Sequence, residues 1–154
     1  MLHDLLFAAL LAQDRCFGDA PASRSRSGRL WRRIYAGCVV TIDEVRAVAS
    51  VLPRSSEGLV RGQVKFRIGR IVYLALSKDG STMGFAFPKE LRAALVESEP
   101  EKFALPSASD LRYHWVHVRL AAIDADEMRE LVEDAWAFCV PKRVAEDYAA
   151  SRCS

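Results

Sequence analysis

Histidines and carboxylates are the side chains from which metal or acid–base chemistry would be built, and few of them are suitably spaced here. His114 and His117 are three residues apart in a segment where polar and apolar residues alternate, so they fall on opposite faces of a predicted strand. Two such side chains cannot bind the same metal ion. The acidic residues at 124–134 follow helical spacing, as the cap and solvated face of one helix do. We therefore predict no metal site and no general acid–base pair.

Other catalytic motifs are not found in the sequence either. Cys139 has no histidine near it and lies among apolar residues, which favours a core thiol over a nucleophile. The glycines match neither a P-loop nor a dinucleotide-binding fingerprint. The sequence thus predicts a protein that is not an enzyme and needs no cofactor.

The pattern with the most chemical meaning combines cations with aromatic residues on predicted strands. At residues 64–68, apolar residues alternate with Lys65 and Arg67, which places both cations on the outer face of a strand. At residues 114–120, the same alternation places Trp115 on an outer face. Cations beside an aromatic ring are typical of nucleic-acid platforms. The predicted nucleic-acid-binding residues are Lys65, Arg67, Arg70, Trp115, His117 and Arg119.

Charge is distributed unevenly along the chain, whose formal net charge is +2. Residues 54–92 carry eight Lys or Arg against three acidic residues, whereas residues 93–154 carry seven against twelve. Residues 40–154 together have a net charge of −1, which excludes a strongly basic domain. Affinity for DNA would then depend on a local patch and would fall steeply with salt.

Length and composition are those of one globular domain. The chain has 154 residues, of which 51% are hydrophobic and 27% charged. Cysteines that lie close together would indicate a zinc or redox motif, but none of the four lies within four residues of another. We expect reduced thiols in a cytoplasmic protein.

Hydrophobic periodicity predicts an α+β fold. Thr41 and Glu44 have the spacing of a capping box, so a helix begins there, and period-two patterns indicate an antiparallel meander further on. The predicted order is α-β-β-β-α-β-α, a two-layer fold with helices packed on one face of an antiparallel sheet. The predicted elements are a helix over 42–52, strands at 64–68, 71–76 and 82–87, a helix over 88–97, a strand at 114–120, and a last helix that is capped by Asp124 or Asp126 and interrupted at Pro141.

Residues 1–39 differ in character from the rest. Their apolar run at 5–12 is shorter than the ~20 residues that span a bilayer, and Asp4 stands where a signal peptide has positive charge. No membrane partner is expected. We interpret residues 1–39 as a flexible basic extension and residues 40–154 as the domain. The extension is either a reading-frame artefact upstream of a start near residue 40 or a basic arm that adds phosphate contacts.

Four segments of the predicted domain, in their order and spacing, resemble the MmcQ/YjbR family over about 115 residues. Such proteins are described as small α+β domains with DNA-binding character, their hairpins being likened to a double wing. The resemblance therefore implies this fold and a DNA partner, although function does not follow from fold alone. Two departures are Arg70, where Lys is common, and the stretch 61–64, which lacks a frequent Pro. The segments are Thr41-Ile42-Asp43-Glu44-Val45-Arg46, Val64-Lys65-Phe66-Arg67-Ile68-Gly69-Arg70, Trp115-Val116-His117-Val118-Arg119-Leu120, and Asp134-Ala135-Trp136 with Pro141-Lys142-Arg143.

Two functions of different classes are compatible with these patterns. The first is a DNA-binding module that uses the exposed sheet face and the basic hairpin. The alternative is a protein-interaction or small-ligand-binding domain, without catalytic activity, that uses the same face. The geometry of that face separates them, since a flat cationic surface favours nucleic acid and a hydrophobic groove favours a peptide.

Overall fold

Helices and strands follow one another over residues 39–153, which are the residues that the computed structural model describes. The predicted extension, apart from Val39, lies outside these residues. None of the helices within 39–153 is long and apolar enough to cross a membrane. The elements are α1 (Ile42–Val51), β1 (Ser55–Val60), β2 (Gln63–Ile68), β3 (Ile71–Leu76), β4 (Thr82–Ala86), α2 (Arg92–Ser98), β5 (Phe103–Ala104), β6 (Trp115–Arg119), a short 3-10 helix (Leu120–Ala122), α3 (Ala125–Cys139) and α4 (Lys142–Arg152).

Helix α1 begins at the predicted capping box. The Thr41 hydroxyl accepts a hydrogen bond from the Glu44 backbone N–H at 3.3 Å, and the Glu44 carboxylate accepts one from the Thr41 N–H at 2.7 Å. The carboxylate also accepts a hydrogen bond from the Thr41 hydroxyl at 3.0 Å, and the two hydrogen bonds that it accepts lower the pKa of Glu44. Val45 and Ala49, one turn apart, are buried and fix which face of α1 packs inward.

The six strands form one antiparallel sheet in the order β1-β2-β3-β4-β6-β5. The predicted meander is confirmed, and Gly69, with φ 60°, stands in the two-residue turn between β2 and β3. Strand β1 was not predicted. It joins β2 through Arg61 and Gly62, whose φ values of 53° and 76° have the signs of a type I′ hairpin turn. The basic residue Arg61 thus occupies a backbone conformation that usually favours Gly or Asn.

One face of the sheet carries the core. Phe66, Leu74, Phe85 and Val116 lie side by side across four strands in register and are all buried. Helices α1 and α3 cover this face, and the indole of Trp136 is 1% exposed. The predicted α+β class, with helices on an antiparallel sheet, is confirmed. The observed order differs in detail, because it contains β1 and β5 and because the last helix is divided into α3 and α4 at Pro141.

Two of the four cysteines, Cys139 and Cys153, lie within residues 39–153. Cys139 is a free thiol, in agreement with the expectation for that residue. The expectation for Cys16 and Cys38 falls outside the described residues.

Candidate functional site

The face of the sheet opposite the core carries a polar row. Lys65 pairs with Ala75, Ala75 with Gly84, and Gly84 with His117, so these four residues share one face. They alternate with the buried residues of the same strands, because successive side chains of a strand point to opposite faces. The fold thus places the predicted site residues Lys65 and His117 on the same open face, three strands apart.

A broad groove of about 1060 Å³ occupies this open face. Its floor consists of small residues, Ala75, Gly84 and Ala86, on adjacent strands. The groove also reaches Phe138 and Cys139 at the C-terminal end of α3. Among the larger side chains that line it are Lys65, Asp110, Tyr113, His114, Trp115, His117 and Phe138.

The indole of Trp115 is held against the floor of the groove at Gly84. A Cβ atom on Gly84 would lie 2.6 Å from the indole Nε1 and 2.8 Å from Cε2, closer than Cβ contacts ever come. Only a glycine allows Trp115 to occupy this position. Trp115 is half-buried, so part of its ring is left to line the groove.

Gly84→Ala should therefore displace Trp115 and lower the free energy of unfolding by about 1–3 kcal/mol, the usual cost of overpacking. Chemical denaturation of both proteins measures this difference. The matched control is Gly58→Ala on edge strand β1, where the nearest contact of a Cβ would be 3.6 Å to Arg67, an ordinary distance. An equal loss for both variants would show that strand glycines matter only for their backbone and would contradict the packing of Trp115 on Gly84.

The two charged side chains that line the groove within the described part of the chain have opposite signs. Lys65 has no hydrogen bond or ion pair with another described residue, and Asp110 accepts a hydrogen bond from the Ser107 hydroxyl at 2.7 Å. Burial lowers the pKa of His117, while the nearby Asp110 carboxylate opposes the shift. His117 is consequently neutral at neutral pH, with one ring nitrogen that donates and one that accepts.

The predicted site residues Arg67 and Arg70 do not line the groove, but each neighbours a lining residue, and we call such positions the rim of the groove. Arg67 pairs with Val72, which lines the groove, and its guanidinium extends over Gly58 of β1. Arg70 is exposed in the turn that precedes Ile71, another lining residue. Neither arginine forms an ion pair with a residue in the range 39–153.

Two other arginines have structural contacts instead. The exposed Arg119, also predicted for the site, donates from Nη1 to the carbonyl oxygens of Pro100 at 3.1 Å and Glu101 at 2.7 Å, away from the groove. Arg92, which contributes to the positive charge of residues 54–92, is 8% exposed. Its guanidinium donates to the carbonyls of Leu111, Tyr113 and Trp115 at 2.5–3.2 Å. Arg92 therefore adds nothing to the cationic surface, and sequence reasoning could not detect its burial.

Metal ligands and nucleophiles do not converge in the described part of the chain. Residues 39–153 contain no group of three His, Cys, Asp or Glu that could hold a metal ion. Cys139 lines the inner end of the groove, where burial raises the pKa of its thiol to about 11. At neutral pH this thiol is protonated and a poor nucleophile.

The fold and the site together define the class of protein. It is a small α+β domain with a helix layer on one face of its sheet and an open groove on the other. The chain belongs to the YjbR family, whose family model matches residues 50–138. The crystal structure of a Deinococcus radiodurans protein with a DUF419 domain is similar, with a TM-score of 0.56 and 21% sequence identity. The match covers 65% of this chain and 78% of that one, and at this identity it supports the fold alone. No curated protein matches the chain.

Proposed function

We propose that the domain is a DNA-binding module, without catalytic activity, that uses the open face of its sheet. The observation that carries the proposal is the arrangement of Lys65, Trp115 and His117 in one groove on that face. Aromatic rings and cations on one surface are the recurring composition of nucleic-acid sites, because rings stack on bases while cations contact phosphates.

The distribution of charge supports the same proposal. Three exposed cations without an ion pair to a described residue lie at the rim, each next to a lining residue. Arg67 pairs with Val72, Arg70 precedes Ile71, and Lys78 follows Ser77. Acidic residues are instead concentrated on α3, in the layer that covers the opposite face. A polyanion would therefore approach the groove side of the domain.

A protein-interaction or small-ligand-binding role without catalysis is the second candidate. It is favoured by apolar exposure at the groove, where Ile71 is 54%, Tyr113 52% and Phe138 40% exposed. A peptide held by these residues would bind with weak salt dependence, whereas phosphate contacts lose affinity steeply as salt rises. A titration of the full chain with labelled duplex and single-stranded DNA at about 50 and 200 mM salt separates the two. Absence of DNA binding at the lower salt would refute the proposal.

The double substitution Lys65→Glu with Arg67→Glu is expected to abolish DNA binding and leave the thermal unfolding temperature nearly unchanged. Arg67 is exposed and Lys65 half-buried in the groove, and surface changes of this kind usually cost under ~0.5 kcal/mol. If affinity is only partly lost, the slope of log affinity against log salt concentration should become smaller by about one unit for each lost phosphate contact. Fluorescence anisotropy measures affinity, and circular dichroism measures stability.

The control for this experiment is Lys142→Glu with Arg143→Glu on α4. It makes the same change in net charge at exposed positions that do not line the groove. The control protein should bind DNA with affinity close to that of the unmodified chain. If both double variants lose affinity equally, total charge and not the groove determines binding, and the proposed site is wrong.

A further inference from the structure

We infer that the groove accepts unpaired bases, so that the domain prefers single-stranded to duplex DNA, with Trp115 as the stacking residue. The inference rests on the proposed function, since it names the form of DNA that the same site binds. It is based on the shape of the groove and on the position of the exposed cations, which lie outside its lining.

The floor of the groove fits a flat ring. Ala75, Gly84 and Ala86 lie on neighbouring strands, and their side chains do not rise beyond Cβ. The Trp115 indole stands on this floor at Gly84, and Tyr113 is a second aromatic residue along the lining. A planar group placed on such a floor meets aromatic surface, and base–aromatic stacking tolerates every base because each has a π face.

The polar groups of the groove suit a base better than a phosphate. Lys65 and Asp110 are the two Lys, Arg, Asp or Glu side chains of the lining, and their charges are opposite. A carboxylate in the groove would repel a phosphate but can accept a hydrogen bond from an amino group of a base. Lys65 and the protonated nitrogen of His117 can donate to carbonyl and ring-nitrogen acceptors of a base.

Three exposed cations without an ion pair to a described residue lie at the rim of the groove and not in its lining. Arg67 and Arg70 are exposed at the rim beside β3, and Lys78 lies beside the Arg61–Gly62 turn, with its Cε 3.5 Å from where a Gly62 Cβ would be. Phosphates of a strand whose bases enter the groove would pass these residues. In a duplex the base faces are hidden within the stack, so only its phosphates could contact the rim.

Three DNA ligands of equal length separate base contacts from phosphate contacts. They are a single strand, the matching duplex and an abasic single strand, which retains the phosphates but lacks bases. The full chain should bind the single strand at least about tenfold more tightly than either of the others, given the energy of stacking per base. Equal affinity for the normal and abasic strands would overturn the inference while leaving the proposed function intact. No binding to any of the three would overturn both.

Trp115→Leu tests the role of the indole. The variant should bind the normal strand roughly tenfold or more weakly, yet bind the abasic strand as the unmodified chain does. Trp115→Phe retains a stacking ring and should keep most of the affinity, which also preserves the test if the leucine variant fails to fold. Were Trp115→Leu to weaken both strands equally, or Trp115→Phe to bind no better than the leucine variant, the indole would not be a stacking residue.

Discussion

Trp136→Ala should lower the free energy of unfolding by about 3–5 kcal/mol, the usual cost of truncating a large buried aromatic residue. Trp136 is 1% exposed and lies where α3 meets the core. Its ring packs edge-on against Tyr148 of α4, with centroids 5.0 Å apart, and its indole N–H donates to the carbonyl oxygen of Pro53 at 2.8 Å. One side chain thus connects α3, α4 and the turn that follows α1, which accounts for the size of the effect.

Chemical denaturation of the full chain measures this loss. Trp136→Phe is the matched control, because it keeps a buried ring but removes the hydrogen bond to Pro53. It should cost only about 1–2 kcal/mol, the combined effect of a lost hydrogen bond and a smaller ring. A loss under about 1 kcal/mol for Trp136→Ala would show that α3 does not depend on this contact.

Arg92→Met is expected to destabilise the fold by about 3 kcal/mol and to loosen one wall of the groove. The guanidinium of Arg92 satisfies three carbonyl oxygens, at Leu111, Tyr113 and Trp115, in a segment with little regular structure. Methionine fills similar volume but leaves these acceptors without a donor, at roughly 1–3 kcal/mol for each that stays buried. Because Tyr113 and Trp115 both line the groove, ligand affinity should also fall.

Arg112→Met is the appropriate control. Arg112 belongs to the same segment, but it is exposed and its guanidinium lies over the Tyr113 ring at 4.7 Å. Its replacement should change stability by less than about 0.5 kcal/mol, as for most surface positions. Comparable losses for the two arginines in denaturation experiments would contradict a special role for the buried one.

Local sequence patterns predicted the elements whose residue types suit the burial and strand pairing that these elements have in the fold. The capping box at Thr41 and the cap at Asp124, which accepts from the Glu127 N–H at 2.8 Å, are local features and are both observed. Strand β1 was missed because Ser55–Val60 contains few β-branched residues and becomes a strand through pairing with β2. Gly62, two residues after Val60 and two before Val64, was a usable signal for a turn of that hairpin.

The candidate site was only partly predictable for a related reason. The alternation of polar and apolar residues identifies which side chains point away from the core, and it correctly indicated that those of Lys65 and Trp115 do so. It cannot indicate where a long side chain ends. Arg119 turns toward the backbone at Pro100 and Glu101, and Arg92 is buried beneath the groove wall. The position of each guanidinium is determined by tertiary contacts between residues about twenty positions apart.

Core and groove residues alternate along the same strands, as in Lys65 beside Phe66, Gly84 beside Phe85, and His117 beside Val116. The helix layer constrains one residue of each pair, and whatever occupies the groove constrains the other. Divergent evolution can therefore change the groove at every second strand position while the hydrophobic pattern stays intact. Protein engineers could use the same property, because new specificities can be introduced on this face without redesigning the core.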